Sequence, residues 1–143
     1  ARVAGMHWLG PGTSPHDSVV YLPTEKIAWP ANLLFGADTI PWARSGGVAD
    51  YRATLRKMAD TISPNTIVSG HGRIASGKAI HRYVSYLDDI LEQAKQAALS
   101  NTTGDDFSAN AIIDPKYVIE PELETLMTGF HRWNLQAAYR ESR

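Results

Sequence analysis

Apolar residues recur at helical spacing in three stretches of the chain, which predicts three helices. The first helix has its apolar positions at Tyr51, Leu55, Met58, Ala59 and Ile62. The second has them at Ile80, Tyr83, Val84, Leu87, Leu91, Ala94 and Ala98. The third carries Leu123, Leu126, Phe130, Trp133, Asn134 and Ala137. Ser63-Pro64 ends the first helix, the Asn-Thr-Thr-Gly segment at 101–104 ends the second, and Glu-Pro-Glu at 120–122 opens the third.

Short runs of β-forming residues lie between segments rich in glycine and proline, which predicts strands. Residues 2–8 precede a Gly-Pro-Gly loop, and residues 17–22 and 26–29 flank a tight polar turn, so the latter two predict an antiparallel hairpin. Residues 66–68 predict a short buried strand, after which a glycine-flanked loop presents His71. The order β-loop-ββ-loop-α-β-loop-α-α predicts an α/β fold, with residues 1–143 forming one domain.

Composition narrows the possible partners and metal ligands. The chain has 143 residues, of which 43% are hydrophobic and 20% are charged, as is typical of a globular domain. Fourteen basic and fifteen acidic residues, with no basic run, give no reason to expect nucleic acid or an anionic membrane surface as a partner. No apolar stretch approaches the roughly 20 residues that a bilayer requires, so a cytoplasmic protein is expected. Because cysteine is absent, any zinc must be held by histidine, carboxylate or amide oxygen.

Three sequence motifs follow one another along the chain. They are Gly-Pro-Gly-Thr-Ser-Pro-His-Asp-Ser-Val-Val-Tyr-Leu-Pro at 10–23, Ala-Asn-Leu-Leu-Phe at 31–35 and Ser-Gly-His-Gly at 69–72. In order and spacing they resemble consecutive landmarks of the metallo-β-lactamase superfamily, and residues 130–141 resemble the C-terminal helix of one of its subgroups. Gly-His-Gly alone is too common to be specific, so the resemblance depends on the three motifs together. It implies that residues 1–143 are the C-terminal half of a metallo-β-lactamase-like domain. This half of an αββα sandwich, a mixed β-sheet with flanking helices, is expected to be completed by a partner chain.

The chain departs from the pattern of that superfamily at its metal ligands. Thr13 stands where the superfamily has a histidine, and Asn32 stands where it has an aspartate that bridges two metals, so His71 alone remains of the three ligands this half usually provides. The His-x-His-x-Asp-His motif of the preceding half is absent from the sequence. Because catalytic zinc usually has three protein ligands, the chain by itself is not expected to be an active dinuclear enzyme.

The resemblance therefore implies a subunit of a heteromeric zinc-dependent hydrolase. A second chain is expected to supply the His-x-His-x-Asp-His half and to hold most of one or two zinc ions. The implied metal ligands of this chain are His71, Asn32 as a neutral oxygen donor, and His16, which lies on the same loop as Thr13 and is a substitute for the missing histidine. Metal-bound hydroxide is the expected nucleophile, so none of these side chains is assigned as a catalytic residue.

Aromatic residues beside the three loops indicate an apolar or aromatic small molecule as the substrate. The candidate substrate-binding residues are Trp42, Phe35, Thr13 and Trp8. An ester, a lactone or an activated ether such as a nitroaromatic methyl ether all suit this fold, the last by architectural similarity to a two-chain nitroaromatic ether hydrolase. The alternatives are a non-catalytic scaffold or binding subunit with a degenerate metal site, and a fragment of an ordinary single-chain enzyme.

Other residues carry structural expectations. Trp29 is expected in the core, Trp133 in helix packing, and His81 and His131 at the surface or an interface. Asp17 is expected to accept hydrogen bonds from the backbone of the first loop. An unpaired half-sandwich exposes an apolar sheet face and edge, so the chain expressed alone is expected to self-associate or aggregate.

Overall fold

The structure is a computed structural model that describes residues 2–43, 45, 47–109, 111–117 and 119–143. Its strands are β1 Gly5–Trp8, β2 Ser18–Leu22, β3 Ile27–Ala31, β4 Thr66–Ser69 and β5 Ala75–Ser76. Its α-helices are α1 Val48–Thr61, α2 Lys78–Leu99, α3 Gly104–Ala109 and α4 Glu124–Glu141, and short 3-10 helices cover Asn32–Leu34 and Pro121–Leu123. The predicted α/β fold, a mixed sheet with flanking helices, is confirmed.

The strands form one mixed sheet in the order β1-β2-β3-β4-β5. The neighbours β1 and β2, β2 and β3, and β4 and β5 are antiparallel, whereas β3 and β4 are parallel. The hairpin predicted at residues 17–22 and 26–29 is therefore confirmed. Because β3 and β4 run the same way and β2 runs against them, the segments after β1, β3 and β4 all leave the sheet at the same end.

The helices share one hydrophobic core with one face of this sheet, called the inner face below. Val19, Ala28 and Ile67, from three neighbouring strands, are completely buried in the same cluster as Leu55 and Met58 of α1. Helix α2 packs against both α1 and α4, and α3 packs against α4. The apolar faces predicted for the first two helices thus face this core, whereas Leu126 of the face predicted for the third helix is 44% exposed.

The opposite, outer face of the sheet is open to solvent. Met6, Val20 and Trp29 are register partners on β1, β2 and β3, so their side chains lie on the same side of the sheet. Met6 is 77% exposed and Trp29 is 37% exposed. The expectation that Trp29 lies in the core is wrong, because Ala28 takes the inward position and strand alternation turns the next side chain outward. The exposed apolar sheet face expected of an unpaired half-sandwich is observed.

The C-terminal third differs from the expectation in its details. Residues 104–109 form the short helix α3, whose first turn is capped where the backbone N–H of Asp106 donates to Thr103 Oγ1 at 3.1 Å. Helix α4 begins at Glu124, later than predicted, because a 3-10 turn precedes it. The helix-packing expectation for Trp133 is wrong, since its side chain is 48% exposed. None of the helices built by the described residues is both long and apolar enough to cross a membrane.

Of the two histidines expected at the surface or an interface, His81 lies at the surface and His131 is buried. His81 is exposed on α2, as expected. His131 is only 4% exposed, so the surface expectation for it is wrong. Its Nδ1 lies 2.8 Å from the hydroxyl of Tyr86 on α2, which places the imidazole between two packed helices. Burial lowers the pKa of His131, although a backbone hydrogen bond with Ile112 acts in the opposite direction.

Candidate functional site

Three loops that carry predicted site residues meet at one end of the sheet. Thr13 Oγ1 in the loop after β1 donates a 3.0 Å hydrogen bond to the backbone oxygen of Asn32, which directly follows β3. The backbone N–H of His71, after β4, donates to the backbone oxygen of Phe35 at 2.7 Å. The sheet topology thus brings together four residues named from the sequence: Thr13, Asn32, Phe35 and His71. The backbone of the loop after β3, which carries Asn32 and Phe35, accepts a hydrogen bond from each of the other two loops.

His71 is exposed, and its position is defined by a ring contact and by two neighbouring glycines. Its imidazole stacks on the ring of Phe35 with centroids 4.3 Å apart and an interplanar angle of 28°. Gly70 is required before it, because a Cβ at that position would lie 2.8 Å from the carbonyl oxygen of Ala31. Gly72 has a φ of 73°, which favours glycine after the histidine. The two glycines therefore let the backbone present one imidazole at the surface.

The Asn32 side chain lies beside the same glycine-flanked loop. A Cβ built on Gly70 would approach Asn32 Oδ1 to 2.7 Å, so the amide oxygen sits against the backbone next to His71. Asn32 is exposed, as is His71. The structure therefore places an amide oxygen and an imidazole on neighbouring loops at one exposed surface.

Thr13 lies beneath these two residues rather than at the surface. It is 7% exposed, and besides its bond to Asn32 its hydroxyl oxygen lies 3.5 Å from that of Tyr51. Tyr51 in turn donates to the backbone oxygen of Leu33 at 2.8 Å. Burial raises the pKa of Tyr51 well above its ordinary value, so its phenol stays a neutral donor. The Thr13 hydroxyl thus supports the backbone of the second loop, and its contact with a substrate stays a prediction.

The first loop is shaped by Asp17, as expected. The Asp17 carboxylate accepts hydrogen bonds from the backbone N–H of Ser14 at 3.0 Å and from Ser14 Oγ at 2.8 Å. His16, exposed in the same loop, donates its backbone N–H to Ser14 Oγ at 3.3 Å. Within the part of the chain that the structure describes, no three His, Cys, Asp or Glu side chains are grouped so that they could hold a metal ion. The donor set of the described residues does not by itself fit a metal centre.

Aromatic rings extend from His71 into the edge of the adjoining core. Phe35 meets Phe130 of α4 edge to face, with ring centroids 5.4 Å apart, and Trp42 stacks on Phe130 at 4.7 Å and 5°. Trp42 and Phe35 are both half-buried. In the sequence, Phe130 belongs to the apolar face of a helix and to the segment 130–141 that resembles the C-terminal helix of one subgroup. Neither observation places it beside the three loops. We refer to Trp42, Phe130 and Phe35 as the aromatic row.

A buried polar network holds the segment that carries Trp42. Asn134 of α4 donates from Nδ2 to the backbone oxygen of Pro41 at 2.6 Å, and its Oδ1 accepts the backbone N–H of Ala43 at 2.8 Å. The same Nδ2 lies 3.1 Å from the Tyr86 hydroxyl, which also contacts His131. Asn134 is completely buried. Both backbone neighbours of Trp42 are therefore fixed by one amide side chain.

An ionic clamp joins the loop of His71 to the loop after Phe35. Arg73 lies 2.5 Å from the Asp38 carboxylate and 3.2 Å from that of Glu120. Arg82 of α2 lies 3.6 Å from Asp38 and donates to the backbone oxygen of Ala37. The hydrogen bond with Asp38 contributes most to raising the pKa of Arg73. Such exposed pairs contribute little energy individually, so the clamp acts mainly on the geometry of the two loops.

Trp8 lies apart from the aromatic row. It is 60% exposed at the end of β1, and its indole N–H donates to the backbone oxygen of Pro15 at 3.1 Å. Trp8 therefore borders the first loop on the outer face of the sheet. A contact between Trp8 and a substrate stays a prediction.

Comparison with known proteins identifies the fold. No family model matches the sequence, and no curated protein matches it. The DIM-1 metallo-β-lactamase matches with a TM-score of 0.54 and 16% identity over 60% of this chain and 41% of that chain. The mono-zinc form of the FIM-1 metallo-β-lactamase from Pseudomonas aeruginosa matches with a TM-score of 0.55 and 17% identity over 60% of this chain and 39% of that chain.

A metallo-β-lactamase from Erythrobacter litoralis also matches, with a TM-score of 0.54 and 20% identity over 60% of this chain and 39% of that chain. The structural neighbours are thus metallo-β-lactamases, and the chain has part of their fold, as the sequence motifs indicated. The matched region amounts to about two-fifths of the length of these structures. More than half of each neighbour has no counterpart in this chain.

Proposed function

We propose that this chain is a subunit of a zinc-dependent hydrolase of the metallo-β-lactamase fold, active only with a partner chain that carries the remainder of the fold. The observation that carries the proposal is the incomplete donor set at the end of the sheet. His71 and the Asn32 amide lie on adjacent exposed loops. No complete group of metal-binding side chains accompanies them among the described residues. Three protein ligands are usual for catalytic zinc, so the others must come from elsewhere.

In this proposal the partner chain brings a His-x-His-x-Asp-His motif to the same surface. His71 provides one imidazole to the shared centre, Asn32 provides a neutral oxygen donor, and His16 is available from the first loop. Zinc, when bound, supplies the Lewis acidity that activates water near neutral pH. Because Asn32 is neutral, the centre has one negative charge fewer than a site with aspartate there, so its metal affinity should be lower.

The aromatic row supports an apolar or aromatic substrate. Phe35 stacks directly on His71, so the row begins at the proposed metal ligand. Aromatic walls bind small apolar molecules by stacking and exclude water from the reacting bond. Under this proposal the substrate is an ester, a lactone or an activated ether such as a nitroaromatic methyl ether. The role of the chain is then to orient such a molecule next to the shared centre.

A non-catalytic scaffold subunit is the second candidate. It is favoured by the environment of Thr13, whose hydroxyl bonds to the backbone of Asn32 instead of facing the exposed surface. In a scaffold, Thr13 and Asn32 fill the former ligand positions and the complex binds no zinc. Metal content separates the two candidates directly.

The test is metal analysis of the complex formed with the partner chain. The chain is co-expressed with the polypeptide of the same source that contains His-x-His-x-Asp-His, and zinc is measured in the purified pair by plasma emission. We expect one or two zinc ions per pair and hydrolysis of aryl esters. His71→Ala should lose zinc and activity, whereas His81→Ala, an exposed histidine on α2, should retain both.

Three results contradict this proposal. A pair without zinc leaves the scaffold as the function. A His71→Ala pair with unchanged zinc shows that the metal is held without His71, which removes the shared centre. A mass spectrum that shows a longer natural chain with His-x-His-x-Asp-His in the same polypeptide makes the protein a single-chain enzyme, and no partner is then required.

A further inference from the structure

A cavity lies between helix α4 and the segment that precedes it, described as residues 111–117 and 119–121. Its volume is about 590 Å³, which falls within the range of roughly 300 to 1,000 Å³ that is usual for small-molecule sites. Tyr117 forms one wall, and Ile113 and Ile119 contribute apolar side chains from the same segment. None of these residues belongs to the sequence motifs or to the candidate site. We call this space the α4 cavity.

Hydrogen bonds and ring contacts hold the wall of the α4 cavity in place. The Tyr117 hydroxyl donates to the Asp89 carboxylate at 2.6 Å, and the Tyr117 ring meets the Tyr86 ring edge to face with centroids 5.3 Å apart. The imidazole of His131 on α4 forms a hydrogen bond with the backbone of Ile112. The cavity is therefore largely preformed, so a ligand would not have to order this segment at the expense of its binding energy.

The polar groups of the α4 cavity come from one face of the helix. Glu124 and Thr128 both line the cavity, and because they are four residues apart they lie one turn from each other on α4. The Thr128 hydroxyl donates to the backbone oxygen of Glu124 at 2.9 Å, so its own oxygen is turned into an acceptor. Of the described residues that line the cavity, Glu124 alone carries a charge, and the ion pairs formed by the described residues do not include it. The helix thus presents two oxygen acceptors to the cavity.

The α4 cavity and the aromatic row lie on different faces of α4. Phe130 follows Thr128 by two residues, which is roughly 160° around a helix of 3.6 residues per turn. Phe130 packs against Trp42 and Phe35, whereas Thr128 lines the cavity beside Tyr117. The chemistry of an occupant is therefore set by Glu124, Thr128 and the apolar walls, and not by the aromatic row.

A ligand of the α4 cavity has to match both kinds of lining. Isoleucine and tyrosine walls favour an apolar body, and the exposed carboxylate of Glu124 favours a positive charge and repels an anion. An ammonium group donates three hydrogen bonds and accepts none, which suits two acceptors one turn apart. We propose that the α4 cavity binds a small molecule with an apolar body and a protonated primary amine. The ammonium bonds to Glu124 and Thr128, and the body packs on Tyr117 and Ile113. This inference is independent of the proposed function, because neither zinc nor a partner chain takes part in it.

The test compares three probes with one carbon skeleton: 4-phenylbutylamine, 4-phenylbutanol and 4-phenylbutyrate. Titration calorimetry with the full chain gives the dissociation constants, and NMR of selectively labelled isoleucine methyl groups locates the probes. We expect the amine to bind about 5-fold more tightly than the alcohol, as for an exposed ion pair, and the carboxylate to bind more weakly than the alcohol. The methyl signals of Ile112, Ile113 and Ile119 should shift, whereas that of Ile27 on β3 should not.

A charge-removing variant and a matched control locate the charge preference. Glu124→Gln keeps the size of the side chain, so it should weaken binding of the amine by about 5-fold and leave binding of the alcohol unchanged. Glu122→Gln is the control, because Glu122 is also exposed but does not line the cavity, and it should change none of the dissociation constants. Raising the salt concentration should reduce the preference for the amine in the wild-type chain. Circular dichroism checks that both variants are folded.

Four results overturn the inference. Equal dissociation constants for the amine and the alcohol exclude a role for the carboxylate. Amine binding that Glu124→Gln leaves unchanged, or that Glu122→Gln weakens equally, places the charge preference elsewhere. Methyl shifts confined to Ile27 place the probes on the outer face of the sheet. A chain that binds none of the probes at millimolar concentration has no site for this class of ligand.

Discussion

The two faces of the same sheet have opposite surroundings although both are apolar. On the inner face Val19, Ala28 and Ile67 are fully buried under the helices. On the outer face Met6 and Trp29, from the same strands or their neighbours, are exposed. Antiparallel sheets with one solvated face usually alternate apolar and polar residues, whereas strands covered on both faces are apolar throughout. The sequence of these strands therefore has the character of a sheet covered on both faces.

The largest effect on the free energy of unfolding is expected from shortening a side chain of the inner face. Ile67→Ala removes a completely buried side chain, so it should lower the free energy of unfolding by about 3 kcal/mol or more. Ile27→Ala makes the same chemical change at a half-buried position of the outer face and should cost about 1 kcal/mol or less. Urea titration followed by circular dichroism measures both. Equal losses at the two positions would contradict the assignment of the faces.

A second large effect is expected from the buried polar network on the helical side, which has no equivalent among the outer-face residues. Asn134→Ala leaves the backbone groups of Pro41 and Ala43 without their side-chain partner, which should cost about 3 kcal/mol. Gln136→Ala removes a half-buried amide bonded to Ser108 Oγ and should cost less than about 1 kcal/mol. Thermal and urea unfolding compare them. An Asn134→Ala chain as stable as Gln136→Ala would show that the network is dispensable.

The pH dependence of stability also distinguishes the helical side of the sheet, where His131 is buried, from the solvent-exposed outer face. The lowered pKa of His131 means that the unfolded chain binds a proton more readily than the folded chain. This contribution to stability is complete above the unfolded pKa of about 6.5 and is lost as pH falls toward the folded value. We expect the urea midpoint to fall between pH 7 and pH 5, and to fall less in His131→Gln. Replacing the exposed His16 by Gln serves as the control and should not change the slope.

The smallest effect on stability is expected on the outer face itself. Met6→Lys changes a side chain that is 77% exposed, so the free energy of unfolding should change by less than about 0.5 kcal/mol. The same change should reduce self-association of the isolated chain and its binding of the dye ANS. Light scattering and dye fluorescence, with Leu99→Lys as a control at another exposed apolar position, make the measurement. Unchanged self-association in Met6→Lys would show that the isolated chain self-associates through a surface other than the outer face.

Helical periodicity predicted the inner side of the fold for α1 and α2, because each of these helices has one apolar face that is buried. Tyr51, Leu55 and Met58 are all buried where their spacing requires it. The strands were less informative, because Ala28 and Trp29 are both apolar and neither residue type shows which one faces the helices. Trp29 was therefore assigned to the core, although it faces solvent. The short helix α3 contains too few residues for a periodic pattern to be visible.

The site was predictable as far as local motifs extend. The glycines around His71 and the position of Asn32 after a strand predicted two loops, and the structure brings these two loops together. Phe130, which is only 8% exposed, packs against Phe35 from α4, and only tertiary packing connects that helix with Phe35. The burial of His131 depends in the same way on Tyr86, a residue of another helix. Contacts between distant segments carry no local signature in a single sequence.

The parallel pairing of β3 and β4 also constrains the order in which the chain folds. Parallel neighbours cannot be joined by a tight turn, and here the crossover between them contains α1. Closing such a long loop costs chain entropy before the pairing is gained, which makes contacts of this kind slow to form. We therefore expect Asn32 and His71, which follow the two strands, to come into proximity only when α1 has docked. The candidate site is then expected to form late in folding, and its formation depends on a helix that contributes none of the proposed metal ligands.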